Sequence, residues 1–174
     1  DKEITHVYES VDPIRDVEVI NLELILADQD VILRRLSHLI PRVKSGDKKS
    51  AFELTVCEKI KKLLDENKLI KKNFFSDEEW EIVKTLNLLT SKPILYVANI
   101  NTDDIATPEN NQNYLKLKEY IEKNSTDLLI PLSISMEYEI SSLSKEDQQT
   151  FMNDLGIKKP GLDRLIQTTY SLLN

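Results

Sequence analysis

Two short apolar runs, Pro93-Ile94-Leu95-Tyr96-Val97-Ala98 and Leu128-Leu129-Ile130-Pro131-Leu132, constrain this chain more than any other feature. Runs this short, without polar alternation, read as strands buried on both faces. Between them, Thr107-Pro108 supplies an N-cap and a first helical position, and Tyr114, Leu117 and Ile121 recur at helical spacing. Strand, helix, strand requires parallel strands joined by a right-handed crossover, so the fold class is α/β. Two strands alone leave open edges and uncovered apolar faces. The sequence therefore reads as the second half of a doubly wound domain, with the strands of the first half expected upstream of Asp1.

A helical period precedes the first run. Asp12 suits an N-cap and Pro13 the first turn, and Val17, Ile20, Leu24, Ala27 and Val31 predict a buried stripe. Ile32, Leu36, Leu39 and Val43 extend it, with Pro41 expected to kink or end the helix near Leu39. Lys44-Ser45-Gly46-Asp47 reads as a turn whose Asp47 caps the next helix, predicted from Lys48 to about Lys72 with Phe52, Val56, Ile60, Leu63 and Ile70 on one face. Two such helices around a glycine turn predict an antiparallel hairpin with arms about 30 Å long. Further on, Ser76 with Glu79 forms a capping box before Trp80, Val83 and Leu86. Ser144 caps a short late helix, and a final one spans Gly161 to Leu173 with Leu162, Leu165, Ile166 and Leu172 as its face.

Composition narrows the chemistry. At 174 residues the chain fits one domain, or one domain with an appendage. It has only three glycines, Gly46, Gly156 and Gly161, so no cluster exists to build a phosphate-cradling loop. A single Cys57 excludes an internal disulfide and a cysteine-built zinc site, and fits a reducing compartment. His6 and His38 are the only imidazoles, too few for a His-rich metal site. The net charge of −7 argues against an extended nucleic-acid surface while leaving room for a local basic patch. No apolar run approaches the roughly 20 residues that span a bilayer, and no signal peptide is evident, so a cytoplasmic location is expected. The start at Asp1 rather than Met suggests a piece of something longer.

In open parallel sheets ligands bind where the chain leaves the carboxyl ends of the strands, which directs attention to Asn99 and Ser133. The Asn99 amide both donates and accepts, which suits a purine edge. A turn at Asn99 and a helix cap at Ser133 would account for the same residues without a ligand. Thr102-Asp103-Asp104 offers oxygens for a cation, or a solvated loop. Glu137 and Glu139, two positions apart, point differently and do not make a catalytic carboxylate pair.

Several blocks in this order resemble one family. They are Thr5-His6-Val7, Ser10 to Asn21, Glu23-Leu24, Leu26-Ala27-Asp28, Gly46-Asp47-Lys48, Leu88 to Pro93 running into Tyr96-Val97-Ala98-Asn99, and Gly161 to Ile166. Together they cover essentially the whole chain in collinear order, and they are similar to the YchF/Obg-like ATPase family of translation-factor-class P-loop NTPases. The resemblance implies a parent protein with a G-domain, an inserted helical hairpin (coiled coil) and a C-terminal TGS domain. On that reading residues 1–28 are a G-domain segment, 29–75 the hairpin, and 76–174 the C-terminal half of the G-domain with the base-recognition loops. The phosphate-binding loop, the Mg²⁺ site and the TGS domain would lie outside this chain. The parent would bind and hydrolyse ATP, with GTP as an alternative, using Mg²⁺. This chain alone would hold no catalytic residue, no metal ligand and no tightly bound cofactor, and would not turn over.

The family's base-recognition motif, an N-x-x-E variant of the N-K-x-D of ordinary GTPases, falls on Asn99, Ile100, Asn101 and Thr102. Its second base-side loop, usually S-A-x, falls on Ser133, Ile134 and Ser135. The resemblance implies that Asn99 contacts the purine ring and the Ile100 backbone its exocyclic group. Thr102 departs from the motif because it has no carboxylate to accept from guanine N1 and its amino group, and Ile100 replaces the lysine that stacks over the base. Guanine selectivity is therefore expected to be weak, since an unpaired polar group costs about 1 to 3 kcal/mol. The competing reading is an interaction module: Lys59, Lys61, Lys62, Lys68, Lys71 and Lys72 make the second arm locally basic, suited to ribosomal RNA, while an apolar hairpin surface would suit a protein partner. A solvated helix face accounts for those lysines equally well.

Overall fold

The computed structural model describes residues 11–125 and 127–173. Thr5, His6, Val7 and Ser10, which open the block of resemblance, lie outside them. The described residues divide into two compact units, Arg15–Pro93 and the part from Ile94 onward, with which residues 11–14 group.

The first unit is built on α1 (Pro13–Lys44), α2 (Lys48–Asp65) and α3 (Asp77–Leu86). Asp12 caps α1 as expected, accepting from the Ile14 N–H at 3.2 Å. The second part of the predicted stripe is buried as expected at Ile32, Leu36 and Leu39, whereas in the first part Ile20 and Ala27 are exposed and Ile25 and Asp28 turn inward instead. In that first part the apolar pattern misled because a carboxylate, Asp28, occupies the core face. Asp28 accepts the backbone N–H groups of Leu89 and Thr90 at 2.8 Å each, and the Thr90 hydroxyl in turn accepts from the Ile70 N–H at 3.4 Å. Buried backbone donors must find acceptors, and here one side chain on α1 serves the segment that follows α3.

Pro41 does not end α1, which continues to Lys44. The proline removes one N–H on an exposed face, where water can serve the carbonyl left over, while Leu39 stays buried. The helix stops instead at Gly46, whose φ of +95° is the left-handed conformation that glycine adopts without a Cβ clash. The Gly46 N–H returns to the Val43 carbonyl at 3.0 Å and the Asp47 N–H to the Arg42 carbonyl at 3.2 Å, the paired bonds of a Schellman stop. Asp47 then caps α2 through the Lys49 and Ser50 N–H groups.

α2 also stops in this way, seven residues short of the predicted Lys72. Asn67 takes φ +55°, its N–H bonding to Leu64 and that of Lys68 to Leu63, both at 2.9 Å. A helix-compatible run of lysines and leucines cannot continue past a residue committed to the left-handed region. α2 returns alongside α1, with Arg35 reaching Glu53 and Gln29 reaching Asp65. The core joins Ile32, Leu36 and Leu39 to Val56, Cys57, Ile60, Leu64, Ile70, Phe75, Val83 and Leu88. The capping box before α3 is present on both sides: Ser76 accepts from the Glu79 N–H, and Glu79 from the Ser76 N–H.

The second unit carries β1 (Leu95–Asn99) and β2 (Leu128–Leu132), paired in parallel with Leu95 opposite Leu128 and Asn99 opposite Leu132. Between them lies α4 (Gln112–Asn124). Thr107-Pro108 opens only a short 3₁₀ turn, and Asn111 caps α4 instead, its carboxamide accepting from the Asn113 and Tyr114 N–H groups at 3.1 Å each. After β2 come α5 (Ile134–Ser142), α6 (Lys145–Asp154), capped by Ser144 as predicted, and α7 (Gly161–Leu173). Ile100, Ile105, Tyr114, Met136, Ile140 and Met152 form the core. Neither strand is buried on both faces: Val97 is 45% exposed, because among the described residues the sheet has two strands only.

Candidate functional site

Asn99 is the last residue of β1 and Ser133 the first after β2, so the register that pairs Asn99 with Leu132 brings the two loops leaving the sheet side by side. The Ile100 N–H donates to the Leu132 carbonyl at 2.9 Å, extending the ladder one step beyond the strands. The Asn99 Oδ1 accepts from the Ile134 N–H at 3.2 Å. Ser133, wholly buried, caps α5 by accepting from the Met136 N–H at 3.4 Å. The Thr102 hydroxyl stands 3.1 Å from that of Ser133 and 3.5 Å from that of Ser135, which is itself 3.1 Å from Ser133.

Local sequence explains this convergence. Ile100 and Ile105 are both buried and pin the two ends of the first loop, so Thr102 is carried on a 3₁₀ turn between fixed points. Asp104 accepts from the Asn111 amide at 2.7 Å, tying the same turn to the start of α4. Asn99, Ile100, Thr102, Ser133 and Ile134 are thus together at the carboxyl ends of the strands. The Ile100 side chain is buried and its N–H is used by Leu132, which leaves any contact from this residue to its carbonyl, an acceptor. Ile134 is 57% exposed and offers an apolar surface beside these polar groups. An amide, the hydroxyls of half-buried Thr102 and exposed Ser135, and an exposed aliphatic chain can hold a planar ring with polar edges, while buried Ser133 positions the two hydroxyls from behind. Asp103 is exposed, and no group of His, Cys, Asp and Glu among the described residues could hold a metal ion.

Four of the six lysines are held in ion pairs. Lys59 pairs with Glu79 at 2.8 Å and lies over the Phe75 ring, Lys61 pairs with Asp65 at 2.5 Å, Lys68 with Glu66 at 2.7 Å and Lys72 with Asp77 at 3.0 Å. The bonds from Lys59 and Lys68 hold the carboxyls of Glu79 and Glu66 below the usual range. Lys62 is exposed on α2, and Lys71 precedes the 3₁₀ turn at Lys72–Phe74.

A contact that sequence reasoning missed supports the second loop from behind. The Glu137 carboxylate accepts the Gly161 N–H at 2.6 Å and the Leu162 N–H at 3.2 Å, capping α7, while Arg164 donates to the Pro131 carbonyl at 2.9 Å. Both flanks of the Ser133 loop are thereby fastened to one helix. The sequence held a signal: α7 follows Lys159-Pro160 and, unlike its neighbours, has no Ser, Thr, Asp or Asn to cap it locally.

No family model matches the chain. Curated relatives do. The "Ribosome-binding ATPase YchF" of Bacillus subtilis is 42% identical over 173 residues, covering 99% of this chain and 47% of that protein. The protein of the same name from Mycoplasma genitalium is 37% identical over 175 residues, covering 100% of this chain and 47% of its own length. Among solved structures, the Schizosaccharomyces pombe YchF GTPase matches with a TM-score of 0.86 at 32% identity, across 100% of this chain and 47% of that one. The chain spans about half the length of the curated relatives it matches. Sequence and fold agree from one end of it to the other, with an α/β core and long helices in common, and the chain belongs to the YchF family.

Proposed function

We propose that this chain is the base-recognising part of a nucleotide-binding protein that hydrolyses ATP, with GTP as a tolerated alternative. The observation that carries the reading is the meeting of Asn99, Thr102 and Ser133 at the carboxyl ends of two parallel strands, with a hydroxyl where a guanine-selective site would present a carboxylate. Asn99 faces the purine edge, the Ile100 carbonyl takes an exocyclic amino group, and Ile134 packs on the ring. Residues 1–28 and 76–174 belong to the nucleotide-binding domain, and 29–75 form an inserted helical hairpin, a coiled coil whose turn is Gly46. The uncovered face at Val97 supports a larger sheet in the whole protein, the remaining part of a P-loop G-domain.

The chemistry of phosphoryl transfer rests on phosphate contacts and Mg²⁺. The donor set here, hydroxyls and an amide without a carboxylate cluster, suits a base and does not suit that ion. This chain alone is therefore inactive and binds nucleotide no tighter than millimolar. Calorimetry with ATP and Mg²⁺ tests this, and micromolar binding by the isolated chain refutes it. In the full-length protein, ATP and GTP affinities lie within about tenfold of each other, and Thr102→Glu shifts the ratio toward GTP by about tenfold by restoring the acceptor. Wild-type protein preferring GTP by more than that sinks the base assignment.

A second reading, in which the helical arm is an interaction module, draws on the relatives' name, ribosome-binding ATPase. A cytoplasmic location goes with it, and no helix among the described residues is long and apolar enough to cross a membrane. RNA binding through the lysines would weaken steeply with salt. The ion pairs at Lys59, Lys61, Lys68 and Lys72 favour a shallow salt dependence and a protein contact on the arm.

A further inference from the structure

We propose that the cleft between α1 and α3 is a docking site for an acidic peptide segment of a protein partner, with Arg34 and His38 gripping a carboxylate while an adjoining apolar side chain lies on Val31 and Leu86. The cleft has a volume of about 400 Å³ and is lined by Val31, Arg34, Arg35, His38, Thr85 and Leu86. That is the size range of sites that enclose a small ligand or a few side chains.

Its charges are unequally committed. Arg35 donates to Glu53, so its charge is met within the chain. Arg34 and His38 are exposed, stand one helical turn apart on the same face of α1, and have no side-chain partner among the described residues. The guanidinium is a fixed positive charge with a planar fork that matches a carboxylate. Thr85 contributes little polarity, because its hydroxyl already donates to the Ile82 carbonyl at 2.7 Å. Half-buried Val31 and Leu86 make the floor apolar.

Charge complementarity selects the occupant. A polynucleotide gains affinity by meeting successive phosphates along a basic track. The cleft has no such track: among its lining residues Arg34 is the one uncommitted fixed cation, because Arg35 is paired with Glu53. One uncommitted arginine beside an apolar floor instead fits one carboxylate with a hydrophobic neighbour.

Titration of the ¹⁵N-labelled full chain with the peptide acetyl-Leu-Glu-Leu-amide, followed by NMR, tests the assignment. Saturable shifts confined to the amides of residues 31–38 and 85–86 are expected. The Gln counterpart of the peptide should bind at least about tenfold more weakly, as should Arg34→Gln, because each removes a charge-assisted bond. Arg34→Lys, which keeps charge and loses the fork, should fall between, and Lys62→Gln should change nothing. Since Arg34 is exposed, the variant spectra should otherwise match the parent. Equal binding of the Gln peptide, an unaffected Arg34→Gln, absence of saturable shifts, or tighter engagement of the same amides by an octauridylate RNA would each overturn the proposal.

Discussion

At the scale of single residues, two positions bear more than their chemistry suggests. Asp28, 1% exposed, is the sole acceptor shown for two backbone donors. Asp28→Ala would leave both N–H groups without a partner, and urea unfolding should show a loss of about 3 kcal/mol. Asp28→Asn retains one acceptor and should lose about half as much. Gly161 is needed for space rather than for backbone freedom, because a Cβ there would meet the Glu137 Oε1 at 2.7 Å and the Leu132 Cδ1 at 3.1 Å. Gly161→Ala should destabilise by about 1 to 3 kcal/mol, as overpacking does. It should also speed amide exchange at Ser135 and Met136, since the clash pushes on the carboxylate that fastens their loop. A loss of stability with unchanged exchange there would separate the glycine from the loop.

At the scale of elements, the turn between α1 and α2 is sensitive to acid. Hydrogen bonds from the Ser50 side chain and backbone, reinforced by Arg42, hold the Asp47 carboxyl down from the ordinary 3.8 to about 2. A depressed folded-state value means that the cap stabilises α2 fully above about pH 4 and is lost as pH falls through about 2. Helicity followed by circular dichroism should show an acid transition in that window, and Asp47→Asn, which cannot titrate, should remove this component. Helix starts were legible wherever a local cap writes them, at Asp12, Asp47, Ser76 and Ser144. Helix ends were less so: Pro41 is overt but sits on an exposed face, whereas Asn67, a residue that tolerates the left-handed region, stops α2 inside a run whose lysines and leucines otherwise read as helix. The α1 core face was legible at Ile32, Leu36 and Leu39 but hidden around Asp28, because a charged residue occupies it and its partners lie more than 60 residues away in sequence. In the candidate site, strand ends and topology sufficed to bring Asn99 and Ser133 together, yet the missing local cap of α7 did not name Glu137 and Arg164 as the residues that tie that helix to the loop.

At the scale of the molecule, two compact units need not unfold together. Cys57 and Trp80, each the only one of its kind, both lie in the Arg15–Pro93 unit. Burial, then the nearby Glu53 charge, pushes the Cys57 thiol up from 9.0 to about 11. Its alkylation near pH 8 should therefore be at least about a hundredfold slower than that of a free thiol, and in urea it should rise with the same midpoint as the Trp80 fluorescence change. A backbone signal from the second unit transiting elsewhere would establish independent stability. The three hydroxyls of Thr102, Ser133 and Ser135 bear on the molecule in a different way. Within 3.5 Å of one another, they form a small ring of rotors whose protons can circulate in either sense. Turning the Thr102 or Ser135 proton out of that ring exchanges an outward acceptor for an outward donor while every heavy atom stays in place. Two ligands of opposite edge polarity would thus be met by one and the same set of coordinates, and the difference between them would be visible only to a method that sees hydrogen.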